Sequence, residues 1–233
     1  MPQKPYRHRV EKTRNKHSRA VFREETIVIK LARNLSKNEQ KEHVQDLLGR
    51  MTKQLLKEEK HRIHIHPFKA LLSGQEQDSI TLANGRTYEI SLRPGEKLAA
   101  KPTAKGWEIT VSASVRRETL HRFLWKLIAD AEYEEMTNYV ETVNRETLQV
   151  SVKKLRLRFA SSQWGSCSPR EIIMLNAALL FVPPHLLRYV TIHELAHRLN
   201  AGHSPAYWKI LQSAIPDYRE VRAELHTYRL PQL

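Results

Sequence analysis

His193, Glu194 and His197 are the residues of this sequence whose types and spacing could most directly support chemistry. The two histidines are four residues apart, so on a helix their imidazoles lie one above the other on the same face. Both rings could then bind one Zn²⁺, and the glutamate could hold a water beside it. His203 follows six residues after His197, a spacing at which the helix can end and a turn can return a third ligand. Three protein ligands plus a water are typical of a catalytic zinc site.

We therefore predict one Zn²⁺ per chain, held by His193, His197 and His203 as neutral imidazoles. The metal would lower the pKa of its water, and Glu194 would accept a proton from that water and deliver it to the leaving group. An isolated HExxH sequence also occurs by chance in proteins without zinc, usually on exposed helix positions. Here the surrounding helix is apolar, and a buried glutamate without a partner is costly, which favours a functional reason for its presence.

The third ligand has an alternative. The spacing of the three histidines equals that of the metzincin proteases, but Asn200 stands where those proteins have glycine, and no methionine follows Met174. Another class of zincins takes its third ligand as a glutamate from a later helix, and Glu220 or Glu224 could serve here. His203 is the simpler assignment.

Three further residues are candidates for substrate binding, namely Asn176, Tyr207 and Arg156. Asn176 ends a predicted strand before the HExxH helix and could bond substrate backbone, or it could be a buried side chain that satisfies a loop. Tyr207 is a candidate to stabilise the oxyanion, as are Tyr189, His226 and nearby arginines. Arg156 belongs to a basic strand that could bind phosphate or lie along an extended peptide.

Cys167 admits a second interpretation, as a nucleophile with a histidine base. We favour packing, because the loop Ser162–Ser168 needs apolar anchors and Gly165 would allow a tight turn there. As the only cysteine of the chain, Cys167 excludes an internal disulfide and is typical of a reducing compartment.

Charge is the main feature of the composition. The 233 residues carry a net charge of +14, and residues 1–66 hold 17 Lys and Arg against 8 Asp and Glu. Such a surface can attract nucleic acid or nucleotides, or can simply be a solvated basic face, and no recognised binding motif accompanies it. No apolar stretch follows the basic residues 1–10, so we expect no secretory signal, and the longest apolar run, 177–182, is too short to span a bilayer. We predict a cytoplasmic protein without a membrane segment; its oligomeric state is open.

Hydrophobic patterns predict an α+β fold with a shift from strands to helices near residue 113. Residues 1–113 would form a basic, β-rich region with one amphipathic helix, and residues 114–233 the catalytic domain. The individual predictions are a tail or edge strand over 1–20, strands at 26–31, 61–66, 107–111, 150–159 and 172–175, a type I′ hairpin at Asn84-Gly85, and helices at about 36–60, 114–143, 184–200, 204–211 and 216–228. In the predicted strand 61–66, Ile63 and Ile65 would pack inward and the three histidines would face solvent, although they could also form a metal site.

Several motifs in order resemble the YgjP-like metallopeptidase family, whose members are similar to SprT-like zincins. The motifs span about residues 115–228 and comprise Ser162-x-Trp164-Gly165-Ser166-Cys167, Ile173-x-Leu175-Asn176, Tyr189-Val190-x-x-His193-Glu194-Leu195-Ala196-His197, His203-Ser204-x-x-Tyr207-Trp208 and Pro216-Asp217-Tyr218. The resemblance implies a minimal, gluzincin-like zincin core with a small sheet on the HExxH helix. It also implies zinc on His193, His197 and His203 and a base at Glu194.

Three functions follow from these observations. The first is a zinc-dependent peptidase that aligns an extended peptide along an edge strand, 156–159 or 172–175. The second is a metal-dependent nucleoside-triphosphate pyrophosphatase, an activity also attached to the family, with phosphates bound by the basic residues of strand 150–159. The third is a DNA-associated, SprT-like protease or binding module, with which the basic charge is compatible.

Overall fold

The computed structural model describes residues 6–23, 26–60 and 62–231. They belong to two compact units, residues 1–62 and residues 63–233, and each unit has its own hydrophobic core. In the part of the chain that is described, four small sheets and seven α-helices make up the fold, which confirms the mixed α/β class. None of these helices is long and apolar enough to cross a membrane.

The first unit is a three-stranded sheet covered by one long helix. Its strands are β1 (Arg7–Lys12), β2 (Arg19–Arg23) and β3 (Thr26–Leu31), with β3 in the centre, parallel to β1 and antiparallel to β2. Helix α1 (Lys37–Lys60) begins at the predicted capping box. Ser36 N–H donates to Glu39 Oε2 at 2.7 Å, and Glu39 N–H donates to Ser36 Oγ at 3.3 Å. An edge strand within residues 1–20 is thus confirmed, while residues 1–5 lie outside the described part.

The second unit contains three sheets and six helices in its described residues. One sheet has the order β5-β6-β8-β7, another β10-β11-β9 and the smallest β12-β4. The strands are β4 (Ile63–His64), β5 (Gln77–Thr81), β6 (Thr87–Pro94), β7 (Ala99–Thr103), β8 (Gly106–Val111), β9 (Lys154–Arg158), β10 (Gly165–Cys167), β11 (Ile172–Asn176) and β12 (Tyr228–Arg229). The helices are α2 (Lys69–Leu72), α3 (Arg117–Ala131), α4 (Tyr133–Glu146), α5 (Pro184–Ala196), α6 (Pro205–Ala214) and α7 (Tyr218–Leu225), with a 3₁₀ helix at Ala177–Phe181.

The predicted strand over 61–66 is mostly absent. Only Ile63 and His64 pair, with β12, and His61 lies outside the described residues. Ile65 is buried as predicted, but the prediction that Ile63 packs inward was wrong, because its side chain is 48% exposed. The rings of His64 and His66 stack with centroids 5.7 Å apart.

The predicted hairpin is present with a different turn. Its loop spans residues 82–86. A type I′ turn needs a positive φ at both central residues, and of Asn84 and Gly85 only Gly85 has one, so this turn type is excluded.

The predicted helix over 114–143 is two helices that meet at Glu132. This residue leaves the helical conformation, and its buried carboxylate accepts hydrogen bonds from Arg86 Nη1, at 2.8 Å, and from the Tyr88 hydroxyl. Tertiary pairing of a buried charge thus overrides the continuous helical pattern.

Candidate metal centre

Helix α5 carries the first two histidines at its C-terminal end. Pro183 is the N-cap residue and Pro184 occupies the first turn, where its missing N–H costs no hydrogen bond. Most of the helix is buried, including Glu194. The helix ends earlier than the predicted residue 200, since His197 is already its C-cap residue. His193 and His197 therefore lie one turn apart where the buried helix meets the following turn.

The turn after α5 is organised by Asn200 and Ser204, and it returns His203 to the helix. Asn200 Oδ1 accepts the Gly202 N–H at 3.2 Å, and Asn200 Nδ2 donates to Ser204 Oγ at 3.1 Å. The same hydroxyl accepts the Tyr207 N–H at 3.3 Å and so caps α6, which begins at Pro205 as predicted.

The imidazoles of His193, His197 and His203 converge. One ring nitrogen from each lies within 4.8 Å of the others, and the Nε2 atoms of His193 and His203 are 3.3 Å apart. Burial, with His197, His203 and Arg222 nearby, lowers the pKa of His193 to about 3. Burial also lowers the pKa of His203. Three imidazoles whose ring nitrogens converge are a donor set that fits a divalent metal ion.

Neither glutamate considered as an alternative ligand belongs to this cluster. Within the described residues, the only group of three or more candidate ligands is made of these histidines. Glu224 instead pairs with His185, and the Oε2 atom of the glutamate lies 2.7 Å from the Nε2 atom of the histidine. His185 is about two turns before His193 on α5. Glu220 is exposed in the first turn of α7.

Glu194 combines burial with a lack of partners. Its side chain is 5% exposed, and the carboxylate makes no hydrogen bond to any described residue. Burial raises the pKa of this carboxyl to about 8. Gly165 of β10 lies directly against it, since a Cβ atom there would be 2.6 Å from Glu194 Oε1. The carboxyl group thus lies against the edge strand β10, on the residue that directly follows the first histidine of the cluster.

Two of the predicted substrate-binding residues are buried and engaged with the protein itself. Tyr207 is 0% exposed, and its hydroxyl oxygen lies 2.7 Å from Nδ1 and 3.1 Å from the carbonyl oxygen of His193. Asn176, also fully buried, donates from Nδ2 to the carbonyls of Ala160 and Gln163, at 2.6 and 2.8 Å, and accepts the Ala178 N–H. Their contact with substrate stays a prediction, although these groups already have protein partners.

The third, Arg156, is not brought to the cluster. It lies on the exposed side of β9, while β11 separates that strand from β10. With strands about 4.8 Å apart, Arg156 is roughly 10 Å from β10 along the sheet. The prediction that residues 172–175 form an edge was wrong, because β11 is the central strand. The edge strand that contacts α5 is β10, in a segment predicted to be a loop.

Cys167 is half-buried, and burial raises the pKa of its thiol. A nucleophilic cysteine needs a lowered pKa, so the environment of this thiol argues for packing rather than catalysis.

Arg222, which no motif of the sequence indicates, lies beside the cluster. Its guanidinium carbon is 5.0 Å from the centre of the Trp208 ring, and that ring stacks on His203 at 5.5 Å. Arg222 has no acidic partner among the described residues, and its charge is one of the causes that lower the pKa of His203. Arg222 follows Tyr218 by four residues, so the two share a face of α7, and Tyr218 stacks on Trp208. The sequence contains this spacing but not the contact with Trp208.

A cluster of three histidines next to a buried carboxyl group is typical of metal-dependent hydrolases. The chain belongs to the YgjP-like family: the pattern of its metallopeptidase domain matches residues 16–228. The family thus supports a metal-dependent peptidase. No curated protein matches the chain significantly. A similar solved structure is the metallopeptidase zymogen abylysin of Pyrococcus abyssi, with 21% identity over 41% of this chain and 98% of that one and a TM-score of 0.36.

Proposed function

We propose that the chain is a zinc-dependent peptidase with His193, His197 and His203 as metal ligands and Glu194 as general base. The observation that carries the proposal is the convergence of three imidazoles, with one ring nitrogen of each within 4.8 Å of the others, on and after the helix that carries a buried carboxyl group. When bound, Zn²⁺ supplies a water that ionises near neutral pH and polarises the substrate carbonyl. The proposal includes a zincin core in which the sheet β10-β11-β9 packs on α5.

In this proposal Glu194 accepts a proton from the attacking water and delivers it to the leaving amine. Its burial suits the task, because a carboxyl group with a raised pKa can both take up and release a proton near neutral pH. Arg222 provides positive charge for the carbonyl oxygen as it becomes negative. We assign this role to Arg222 rather than to Tyr207 because the tyrosine hydroxyl is already engaged with His193.

We further propose that substrate binds as an extended strand along the free edge of β10. Main-chain hydrogen bonds to a sheet edge give affinity without selecting a particular side-chain sequence. This mode of binding therefore suits unfolded polypeptides of varied sequence. Gly165, the first residue of that strand, would place the peptide beside Glu194. A catalytic domain over residues 114–233 stays a prediction, and in the structure residues 63–233 share one core.

Peptide is favoured over nucleotide as the substrate. The basic side chains of β9 that were predicted to bind phosphate (Lys154, Arg156 and Arg158) alternate with buried Leu155 and Leu157 and face solvent. They form the exposed face of a half-buried strand, and none of them belongs to the histidine cluster. A DNA-associated role and a cytoplasmic location stay predictions.

The test compares metal content and cleavage of an unfolded protein in wild type, His203→Ala, Glu194→Gln and His185→Ala. We expect one zinc per chain in wild type, weakened binding in His203→Ala, and retained zinc without cleavage in Glu194→Gln. His185, on the same helix but paired with Glu224, is the matched control and should behave as wild type. Full zinc retention by His203→Ala under chelator competition, or wild-type cleavage by Glu194→Gln, would contradict the proposal.

A further inference from the structure

We infer that Tyr207 is a positioning residue whose hydroxyl fixes His193 in the tautomer that can bind the metal. The inference rests on the proposed zinc site and gives the Tyr207 hydroxyl a role other than the substrate contact predicted from the sequence. It concerns one hydrogen bond, that between the tyrosine oxygen and Nδ1 of His193.

The direction of this hydrogen bond follows from counting protons. The Tyr207 oxygen lies 3.1 Å from the carbonyl oxygen of His193, and a carbonyl can only accept, so the single hydroxyl proton is donated there. The same oxygen lies 2.7 Å from Nδ1 of His193 and must then accept from it. Nδ1 therefore carries the imidazole proton, and Nε2, which lies 3.3 Å from Nε2 of His203, keeps its lone pair for the metal.

The second ligand on α5 is held in the same way by a different group. Nδ1 of His197 lies 3.2 Å from the carbonyl oxygen of Asn200, which can only accept, so this ring also carries its proton on Nδ1. Two histidines whose Nδ1 atoms both donate to fixed oxygen atoms present both Nε2 atoms for a metal. This agreement makes a chance contact between Tyr207 and His193 a poor explanation.

The position of Tyr207 is itself fixed by the turn that returns His203. Ser204 caps α6 by accepting the Tyr207 N–H, and Asn200 donates to the same serine hydroxyl. The tyrosine ring is fully buried and stacks on His197, with centroids 4.7 Å apart. Tyr207 therefore holds one ligand ring through its hydroxyl and contacts a second through its face.

Removal of the hydroxyl would leave the Nδ1–H of His193 without its partner, and the ring would be free to adopt the other tautomer. Loss of such a supporting hydrogen bond typically weakens metal binding by about 10- to 100-fold. We expect a loss of this size in zinc affinity for Tyr207→Phe, measured by competition with a chelator. The ring and its packing are kept in this variant, so the metal-free protein should still fold, with an unfolding temperature lowered only by the loss of one buried hydrogen-bonding group.

Tyr189→Phe is the matched control. Tyr189 is also buried, its ring lies 5.9 Å from that of His193, and its hydroxyl makes no hydrogen bond to a described residue. Its zinc affinity should equal that of wild type. Nitrogen NMR of the metal-free proteins supplies a second measurement: wild type should show His193 protonated on Nδ1, and Tyr207→Phe should show a mixture of the two tautomers.

The outcomes separate this inference from the proposed function. If wild type binds no zinc, the proposed site fails. If wild type binds zinc but Tyr207→Phe binds it equally well, or if His193 is protonated on Nε2 in metal-free wild type, the positioning role is overturned and the zinc site stands. An equal loss of affinity in Tyr189→Phe would also overturn it, because the effect would then not depend on this hydroxyl.

Discussion

Gly165 lies so close to Glu194 that a Cβ atom on the glycine would be 2.6 Å from Oε1 and 2.8 Å from Cγ of the glutamate. The backbone of Gly165 is outside the left-handed region, in contrast to Gly74, Gly85 and Gly106, whose φ angles are positive. Glycine is therefore needed at this position for close approach and not for a turn conformation. The contact lets the edge strand β10 lie directly against the carboxyl group proposed as the general base.

Gly165→Ala should consequently impair catalysis more than folding. The atoms that a methyl group would meet belong to one flexible side chain and not to backbone, so the Glu194 side chain can move aside at modest cost in stability. A displaced base loses the alignment that proton transfer needs, and we expect kcat to fall about 100-fold. Kinetics with an unfolded protein substrate, together with zinc content, measure the effect.

Gly202→Ala is the control for that variant, because a Cβ atom there meets nothing within 4 Å and its φ is not positive. It should retain the wild-type unfolding temperature. Wild-type kcat in Gly165→Ala would show that the Glu194 carboxyl group is not held by this contact, whereas loss of zinc in Gly165→Ala would point to a wider rearrangement of α5.

Much of the fold was predictable where local signals decide the structure. The capping box at Ser36 and Glu39, the proline that begins α5 and the Ser204 cap of α6 all lie where the sequence placed them. The errors arose where long-range contacts decide. The break between α3 and α4 at Glu132 depends on Arg86, 46 residues away in sequence, and no helical periodicity contains that information.

The same division applies to the candidate site. The spacing of the histidines predicted their convergence, because i, i+4 geometry is local and a short turn returns the third ring. The role of Gly165, the engagement of the Tyr207 hydroxyl and the place of Arg222 were not predictable, since each depends on which surfaces meet in the folded chain. A loop of glycine and serine gave no sign that its centre forms the edge strand β10.

Asn176→Ala should lower stability, because the side chain anchors a loop. It would remove two hydrogen bonds to the carbonyls of Ala160 and Gln163 and one from the Ala178 N–H, all at a fully buried position. Leaving such groups unsatisfied costs about 1–3 kcal/mol each, so the free energy of unfolding should fall by roughly 3 kcal/mol. Urea unfolding measures this free energy.

Asn84→Ala is the control. It removes one exposed hydrogen bond, which Asn84 Oδ1 accepts from the Arg86 N–H, and should cost under about 1 kcal/mol. A raised KM with unchanged stability would instead support the substrate contact predicted from sequence.

Arg222→Met should reduce kcat by about 100-fold if the guanidinium stabilises negative charge on the substrate. Stability should change by less than about 1 kcal/mol, the size of an exposed contact between a cation and an aromatic ring. Arg219→Met is a suitable comparison, because Arg219 lies on the same helix over the ring of Tyr218 at 5.7 Å. Equal kcat values for the two variants would remove Arg222 from the proposed mechanism.

His121 should make the second unit less stable in mild acid. It is 5% exposed, and its Nε2 accepts a hydrogen bond from the indole N–H of Trp125 at 2.8 Å, which requires the neutral ring. Burial lowers its pKa from the ordinary value of 6.5, and the charges of His66 and Arg117, which face it, lower it further.

The sign of the effect follows from proton binding. As the pH falls below about 6.5, the unfolded chain protonates this histidine while the folded chain does not, so the unfolded state is favoured until the lower folded pKa is reached. The free energy of unfolding should therefore fall as the pH falls through that window. His121→Gln keeps a neutral acceptor for Trp125 without titrating, and its slope against pH should be shallower than that of wild type. The free energy of unfolding of both proteins is measured with urea between pH 7.5 and pH 5, where each unit of pKa difference corresponds to about 1.4 kcal/mol. Equal slopes of this free energy against pH for the two proteins would mean that His121 takes up its proton as readily in the folded chain as in the unfolded one.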